Sequence, residues 1–282
     1  MGYVIDLAVN KGYVFNTTYP GRSALGRQAA EMRFCHFQGL KNMSESLPRT
    51  YVYIDGFNLY YRALKNSQYK WLDLEKLCFS LLAEGTPIGK IKYFTARIKA
   101  KTNSFNASDR QGIYLKALES RCGLLERIDG EYYIRQKKRQ LRKAIFCKQD
   151  SECIAITEKE LVHVYEPQEK QTDVNIASHM IHDTWLDLYD QAILITNDTD
   201  LATALKFVSI DCPGKPSKRI GLINPSKDGQ QAGSLRRYSD WEKSISDFHL
   251  KKSQFPDEIA ANIRKPEAWF YKNHEEYLAS KS

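Results

Sequence analysis

The feature that most constrains this chain is a repeated alternation of short apolar runs with stretches at helical spacing. TYVYID (50–55), IKYFTARI (91–98), AILIT (192–196) and RIGLIN (219–224) are rich in β-branched and aromatic residues. Each has the length and composition of a strand. AILIT is apolar without interruption, the signature of a strand buried on both faces of a parallel sheet. Between the runs lie helical segments. In LDLEKLCFSLLAEG, Leu74, Leu77, Cys78, Leu81 and Leu82 form one apolar stripe and Gly85 supplies a stop. DRQGIYLKALESR and DVNIASHMIHDTWLDL carry similar stripes. Strands alternating with helices predict one doubly wound α/β domain, a three-layer α/β/α sandwich around a mostly parallel sheet, over residues 49–250.

The flanks read differently. Residues 1–48 mix Gly, Asn, Thr, Pro and Arg without periodicity and are expected to be a poorly ordered extension, with Met43 a candidate start. Residues 251–282 read as a polar tail with a few aromatic anchors. Residues 124–164 are expected to form short antiparallel strands. The chain of 282 residues has no apolar run long enough to span a membrane and no signal peptide, so a cytoplasmic address without membrane partners is expected. Its six scattered cysteines then read as reduced thiols. Cys147 and Cys153 form the one near pair; they are either unrelated thiols or half of a zinc clip completed by Cys122 and His163.

Open parallel sheets carry their functional groups beyond the C-terminal strand ends. Asp55 terminates TYVYID, and Asp198 and Asp200 follow AILIT in the turn TNDTD. Asp173 opens the helix that leads into AILIT. Each aspartate alone could serve as a helix cap. Four at one sheet edge are another matter, because two carboxylates about 4 Å apart repel by about 4 kcal/mol at an effective dielectric near 20. A divalent cation reverses that sign, so Mg²⁺ or Mn²⁺ is the expected cofactor. Asn58, three residues after Asp55, is placed to orient a metal-bound water. The six histidines form no evident site; His179 and His182 share a helix without further partners. GxxxxGK[ST] and GxGxxG loops are absent, which disfavours a P-loop nucleotidase and an NAD enzyme. An Asp55 phosphotransfer nucleophile would want a second aspartate two residues on, where Phe57 stands.

The net charge is +8 with a pI near 9.0, compatible with a polyanionic partner. RQKKRQLRKAIFCK, from Arg135 to Lys148, holds seven basic residues and no acidic one. Arg135, Lys137, Lys138, Arg139, Arg142 and Lys143 are therefore candidate nucleic-acid contacts, with Thr196 and Asn197 as further phosphate contacts. Tyr132 and Tyr133 precede the run and offer rings for base stacking.

YIDGFNLYY, EKQTDVNIASHMIHD and AILITNDTDLATAL, in this order, resemble the NYN domain, a branch of the PIN-like nucleases, in its bacterial DUF88 or LabA-like form. The resemblance spans roughly residues 50–250. It implies a PIN-like sandwich and a Mg²⁺- or Mn²⁺-dependent ribonuclease, a hydrolase acting on RNA with DNA not excluded. Through it Asp55, Asn58, Asp173, Asp198 and Asp200 become the expected catalytic set, the four aspartates being its metal ligands. The alternative is a non-catalytic RNA-binding module of the same fold.

Overall fold

The computed structural model of the protein describes residues 49–99, 105–140, 145–149, 152–156, 161–210, 218–226, 232–272 and 274–280. The chain divides into two units, Met1–Ser46 and Leu47–Ser282, and the first lies outside the described residues. The expectation of a disordered extension, and the Met43 start with it, therefore falls outside them.

A six-stranded sheet organises the second unit. Its order is β10 (Trp241–Ser244), β9 (Arg219–Asn224), β8 (Gln191–Ile195), β1 (Thr50–Asp55), β2 (Ile88–Thr95) and β3 (Leu125–Asp129). Every adjacent pair is parallel. The chain runs outward from β1 through β2 to β3, then returns to β8 on the other side of β1 and runs outward again. The sheet therefore has a topological switch point between β1 and β8, where a crevice opens at the C-terminal strand ends.

Period-two alternation sends the side chains of each strand to opposite layers. Val52 and Ile54 of β1, with Ile193 and Ile195 of β8, enter one core. There they meet Leu74, Leu77 and Leu81 of α2 (Leu74–Leu81) and Tyr114, Leu115 and Leu118 of α3 (Phe105–Arg121). Tyr53, Ala192 and Leu194 point the other way, into a second core. That core contains Ile176 and Met180 of α4 (Thr172–Trp185) and Leu205 and Val208 of α5 (Ala202–Ser209). Two cores on the two faces of one sheet make the expected three-layer α/β/α sandwich. Gly85, just beyond α2, has φ +79°, the left-handed conformation that glycine adopts without a steric penalty.

Two sequence expectations are corrected. LERID (125–129) is a parallel strand at the sheet edge, not part of an antiparallel insert; as an edge strand it has no strong apolar alternation to reveal it. Packing also continues past residue 250. Phe255 is buried, and its backbone N–H donates to the Trp71 carbonyl. The Trp269 ring lies 6.1 Å from that of Trp71. Beyond the sheet, β4 (Glu131–Gln140) and β7 (Leu161–Lys170) form a ten-residue antiparallel ladder, and β5 (Ile145–Gln149) pairs with β6 (Glu152–Ile156). No helix among the described residues is long and apolar enough to cross a membrane.

Candidate functional site

The switch point brings together residues far apart in sequence. Asp55 ends β1 and caps α1 (Gly56–Leu59): its Oδ1 accepts the Asn58 N–H at 2.9 Å. Its Oδ2 accepts the Thr196 hydroxyl, also at 2.9 Å, from the end of β8. Thr196 in turn accepts the Asp198 N–H at 3.1 Å, and Asp198 Oδ1 accepts the Asp200 N–H at 3.0 Å. The Asn58 side-chain Oδ1 accepts the Asn197 backbone N–H at 3.1 Å, tying α1 to the turn after β8. These short-range bonds fix the two strand ends against each other.

Asp173 arrives from the first turn of α4. The residue before the helix, Gln171, has φ 75° and gives no side-chain cap. Glu169 at the end of β7 fills that role: its Oε1 accepts the Thr172 N–H at 3.0 Å and the Thr172 hydroxyl. Asp55, Asp173 and Asp198 each present one carboxylate oxygen, and the three lie within 4.8 Å of one another. Their cleft is also lined by Phe57, Asn58, Tyr61, Arg62 and Glu169.

The electrostatics follow from that crowding. Burial pushes the Asp55 carboxyl up to about 6; the Asn58 and Thr196 hydrogen bonds oppose the shift, while Asp198 and Glu169 add to it. Burial likewise pushes Asp173 up to about 6, reinforced by the charges of Asp55, Asp198, Glu169 and Asp200. Both shifts make Asp55 and Asp173 keep their protons to higher pH than free aspartates do.

Other sequence candidates land elsewhere. Asp200 is exposed and stands outside the trio, acting on Asp173 only as a neighbouring charge. Thr196 is fully buried with its hydroxyl engaged, and the Asn197 side chain accepts the Ala232 N–H at 2.8 Å. Neither is presented as a free phosphate contact. Arg135, Lys137, Lys138 and Arg139 lie on β4, where Glu166 of β7 pairs with Lys137 (3.3 Å) and Arg139 (2.6 Å). Arg142 and Lys143 fall outside the described residues, as do the side chains of Cys147 and Cys153. Cys122 is buried with Sγ 3.6 Å from Asp73, away from any zinc-like grouping among the described residues. Glu169 is the site residue that the sequence did not single out. Its signal was its position four before Asp173, just ahead of the helix.

The fold and this cleft define an α/β protein with a cluster of three aspartates at its switch point. No protein-family model matches the chain. A curated relative, the 6-hydroxy-3-succinoylpyridine 3-monooxygenase HspA of Pseudomonas putida, is 30% identical over 244 residues, covering 79% of this chain and 75% of the relative. The chain belongs to the family of that monooxygenase, a family of enzymes. A Vibrio parahaemolyticus protein of unknown function has a similar crystal structure at TM-score 0.42 and 14% identity. It covers 76% of this chain and 99% of its own, too slight a likeness to bear on function.

The relative overturns the nuclease assignment. Three short motifs carried the NYN resemblance, whereas the similarity to a monooxygenase extends over most of the chain. Ribonuclease and hydrolase are therefore corrected, and the RNA-binding alternative of the same family falls with them. The physical reason is that carboxylates at a parallel sheet edge recur on one fold with many chemistries and do not by themselves specify a reaction or a substrate.

Proposed function

We propose that this chain is an oxidoreductase of the monooxygenase kind acting on a small aromatic acid, with a divalent cation held by Asp55, Asp173 and Asp198 organising its site. The observation that carries the site is the mutual approach of three carboxylate oxygens within 4.8 Å. Oxygens sharing one octahedral Mg²⁺ or Mn²⁺ at about 2.1 Å stand about 3–4 Å apart, so small side-chain rotations suffice to close the set. The reaction class and substrate are drawn from the relative, whose named substrate is a hydroxylated pyridine bearing a keto-acid chain.

The donor set, all carboxylate oxygen, fits a hard ion such as Mg²⁺ or Mn²⁺. It does not fit the two-histidine, one-carboxylate arrangement by which iron activates dioxygen. His179 lies along α4 with Nδ1 3.1 Å from Lys92 Nζ, outside the carboxylate trio. When bound, the cation supplies electrostatic attraction for substrate oxygens. The chain's own residues do the positioning: Thr196 and the Asn58 N–H fix the Asp55 oxygens, and Glu169 fixes the helix start that presents Asp173. Monooxygenation places one atom of dioxygen in the product and reduces the other to water, which consumes two protons and two electrons from a separate donor.

The test uses the full chain with ¹⁸O₂, reduced nicotinamide or flavin as electron donor, Mn²⁺ and 6-hydroxy-3-succinoylpyridine. One ¹⁸O atom is expected in the product, with loss of turnover and of Mn²⁺ binding in Asp55→Asn. Product free of ¹⁸O, or no product with any two-electron donor, overturns the reaction class. Equal Mn²⁺ binding by wild type and variant overturns the cation site.

A further inference from the structure

Next to the acidic cleft, and separated from it by Phe57, lies a second cavity of different character. Phe57 lines both. The second is walled by aromatic rings from four separate parts of the chain: Tyr60 of the π-helical turn after α1, Tyr93 of β2, Tyr114 of α3, and Trp269 near the C-terminus. Its volume is about 110 Å³. A closed cavity of about 150 Å³ is known to hold benzene; this one is smaller but partly open to solvent, so a single six-membered ring is the largest group it can seat, and only in part.

Hydrogen bonding leaves the ring surfaces to do the binding. The Tyr114 hydroxyl donates to the Leu72 carbonyl at 2.8 Å, and Tyr93 is hydrogen-bonded to Thr95. The Gln111 amide is spent on the backbone of Ile98 and Ala96, at 2.8 and 2.9 Å, which pins α3 over the exit of β2. Gly56 forms part of the wall because nothing larger fits: a Cβ there would stand 2.6 Å from the Phe94 carbonyl oxygen.

Two cations border this aromatic space. Lys70 is buried, and its ammonium has three carbonyl acceptors: Ser67, Lys272 at 2.9 Å and Tyr271 at 3.5 Å. An ammonium has three protons, so Lys70 has none left for a ligand. Arg110 is different. It lines the cavity from α3, half-buried, and makes no ion pair with a carboxylate among the described residues. Its guanidinium offers a planar fork of donors matched to a carboxylate.

We propose that this cavity binds a single aromatic ring carrying a carboxylate, with the ring against the cavity's aromatic wall, where Tyr114 and Trp269 already pack edge to face at 5.8 Å, and the carboxylate on Arg110. This deepens the preceding reading by giving its substrate class a place beside the acidic cleft, and in that respect rests on it. The pocket itself requires no cation, which makes the two separable.

Binding is measured with EDTA present, by tryptophan fluorescence and calorimetry, using benzoate, pyridine-3-carboxylate and 3-succinoylpyridine as probes. Benzamide and succinate are the controls for charge and ring. At least one aromatic acid is expected to bind saturably, at least tenfold tighter than benzamide, with succinate silent. Arg110→Met is expected to weaken the acid at least tenfold while leaving benzamide unchanged. Ala107→Phe, which fills the cavity from α3, is expected to abolish all ring binding. Near-UV circular dichroism and Mn²⁺ affinity report that each variant is folded. Equal acid affinity in wild type and Arg110→Met, or ring binding that survives Ala107→Phe, overturns the proposal. Acid binding that persists where Mn²⁺ binding fails overturns the cation site alone.

Discussion

Burial at the end of β1 lifts the Asp55 carboxyl from its ordinary value of 3.8 to about 6, with the Asp198 and Glu169 charges acting in the same direction. A carboxyl raised in this way binds its proton more tightly in the folded chain than in the unfolded one. Its effect on stability is therefore neutral below about pH 4 and becomes unfavourable as pH rises towards about 6. A shift of about two units corresponds to at most about 3 kcal/mol, less where water reaches the cleft. Asp55→Asn removes that penalty, and its amide can still accept from Asn58 and donate to Thr196. In cation-free protein at pH 8 this variant is expected to gain about 1–2 kcal/mol by urea denaturation, with the gain vanishing near pH 4. Cation affinity of the wild type is expected to rise with pH through about 6, since protons and cation compete for the same oxygens. A variant less stable than wild type at pH 8 would show that the trio is not a strained, cation-seeking group. Asp55 and Asp198 were legible in the sequence because a residue closing an apolar strand must stand at the sheet edge. Thr196 was legible as a position only; its burial depends on which strand lies beside β8. The reaction was not legible, because an acidic trio at a sheet edge carries no information about the organic substrate.

Between elements, β2 and α4 are joined by a buried ion pair that no spacing rule announces. Lys92 Nζ lies 2.6 Å from Asp183 Oδ2, and their side chains are 7% and 2% exposed. The Tyr53 hydroxyl donates to the same oxygen at 2.7 Å. Removing one partner strands a buried charge at a cost of about 3–5 kcal/mol, whereas neutralising both can cost far less. Lys92→Met is expected to lose stability in that range. Adding Asp183→Asn, whose carbonyl still accepts from Tyr53, is expected to recover at least half of the loss. Chemical denaturation of the four members of this double-mutant cycle decides it: strictly additive losses would mean that the pair does not couple strand to helix. α4 carries Asp173 at its other end, so the pair also holds the helix that completes the acidic trio. The strand-and-helix alternation was readable here because apolar periodicity survives one lysine. The partner of that lysine was not, since the two residues are 91 apart in the chain.

At the scale of the described unit, the segment after α6 (Asp247–Lys252) closes one face of the sandwich. Trp71 is fully buried there, with Phe255 and Trp269 ring centroids 5.7 and 6.1 Å away. Its indole N–H donates to the Pro256 carbonyl at 2.8 Å, and the Asp73 N–H that opens the next helix donates to the Ser253 carbonyl, also at 2.8 Å. From sequence, this segment looked like a polar tail because its aromatic residues are widely spaced and follow no helical or strand period. Their common target, Trp71, lies nearly two hundred residues upstream in a stretch with no pattern of its own. Full burial, as at Phe255, contributes about 1.5–3 kcal/mol, the partly buried Trp269 contributes less, and losing both also uncovers Trp71. Losing Phe255 and Trp269 together should therefore cost about 5 kcal/mol, a large part of the 5–15 kcal/mol net stability typical of a domain. At about 2–4 °C per kcal/mol for a unit of this size, a chain ended after Lys252 is expected to melt about 10–20 °C lower than the full chain. Because Trp269 also walls the aromatic cavity, the same chain is expected to lose aromatic-acid binding below its melting point while Asp55, Asp173 and Asp198 still bind Mn²⁺. Thermal melts followed by near-UV circular dichroism, with both ligands titrated at 15 °C, test the two expectations together. A shortened chain that melts within a few degrees of the full one would show that the sandwich is complete without its C-terminal segment.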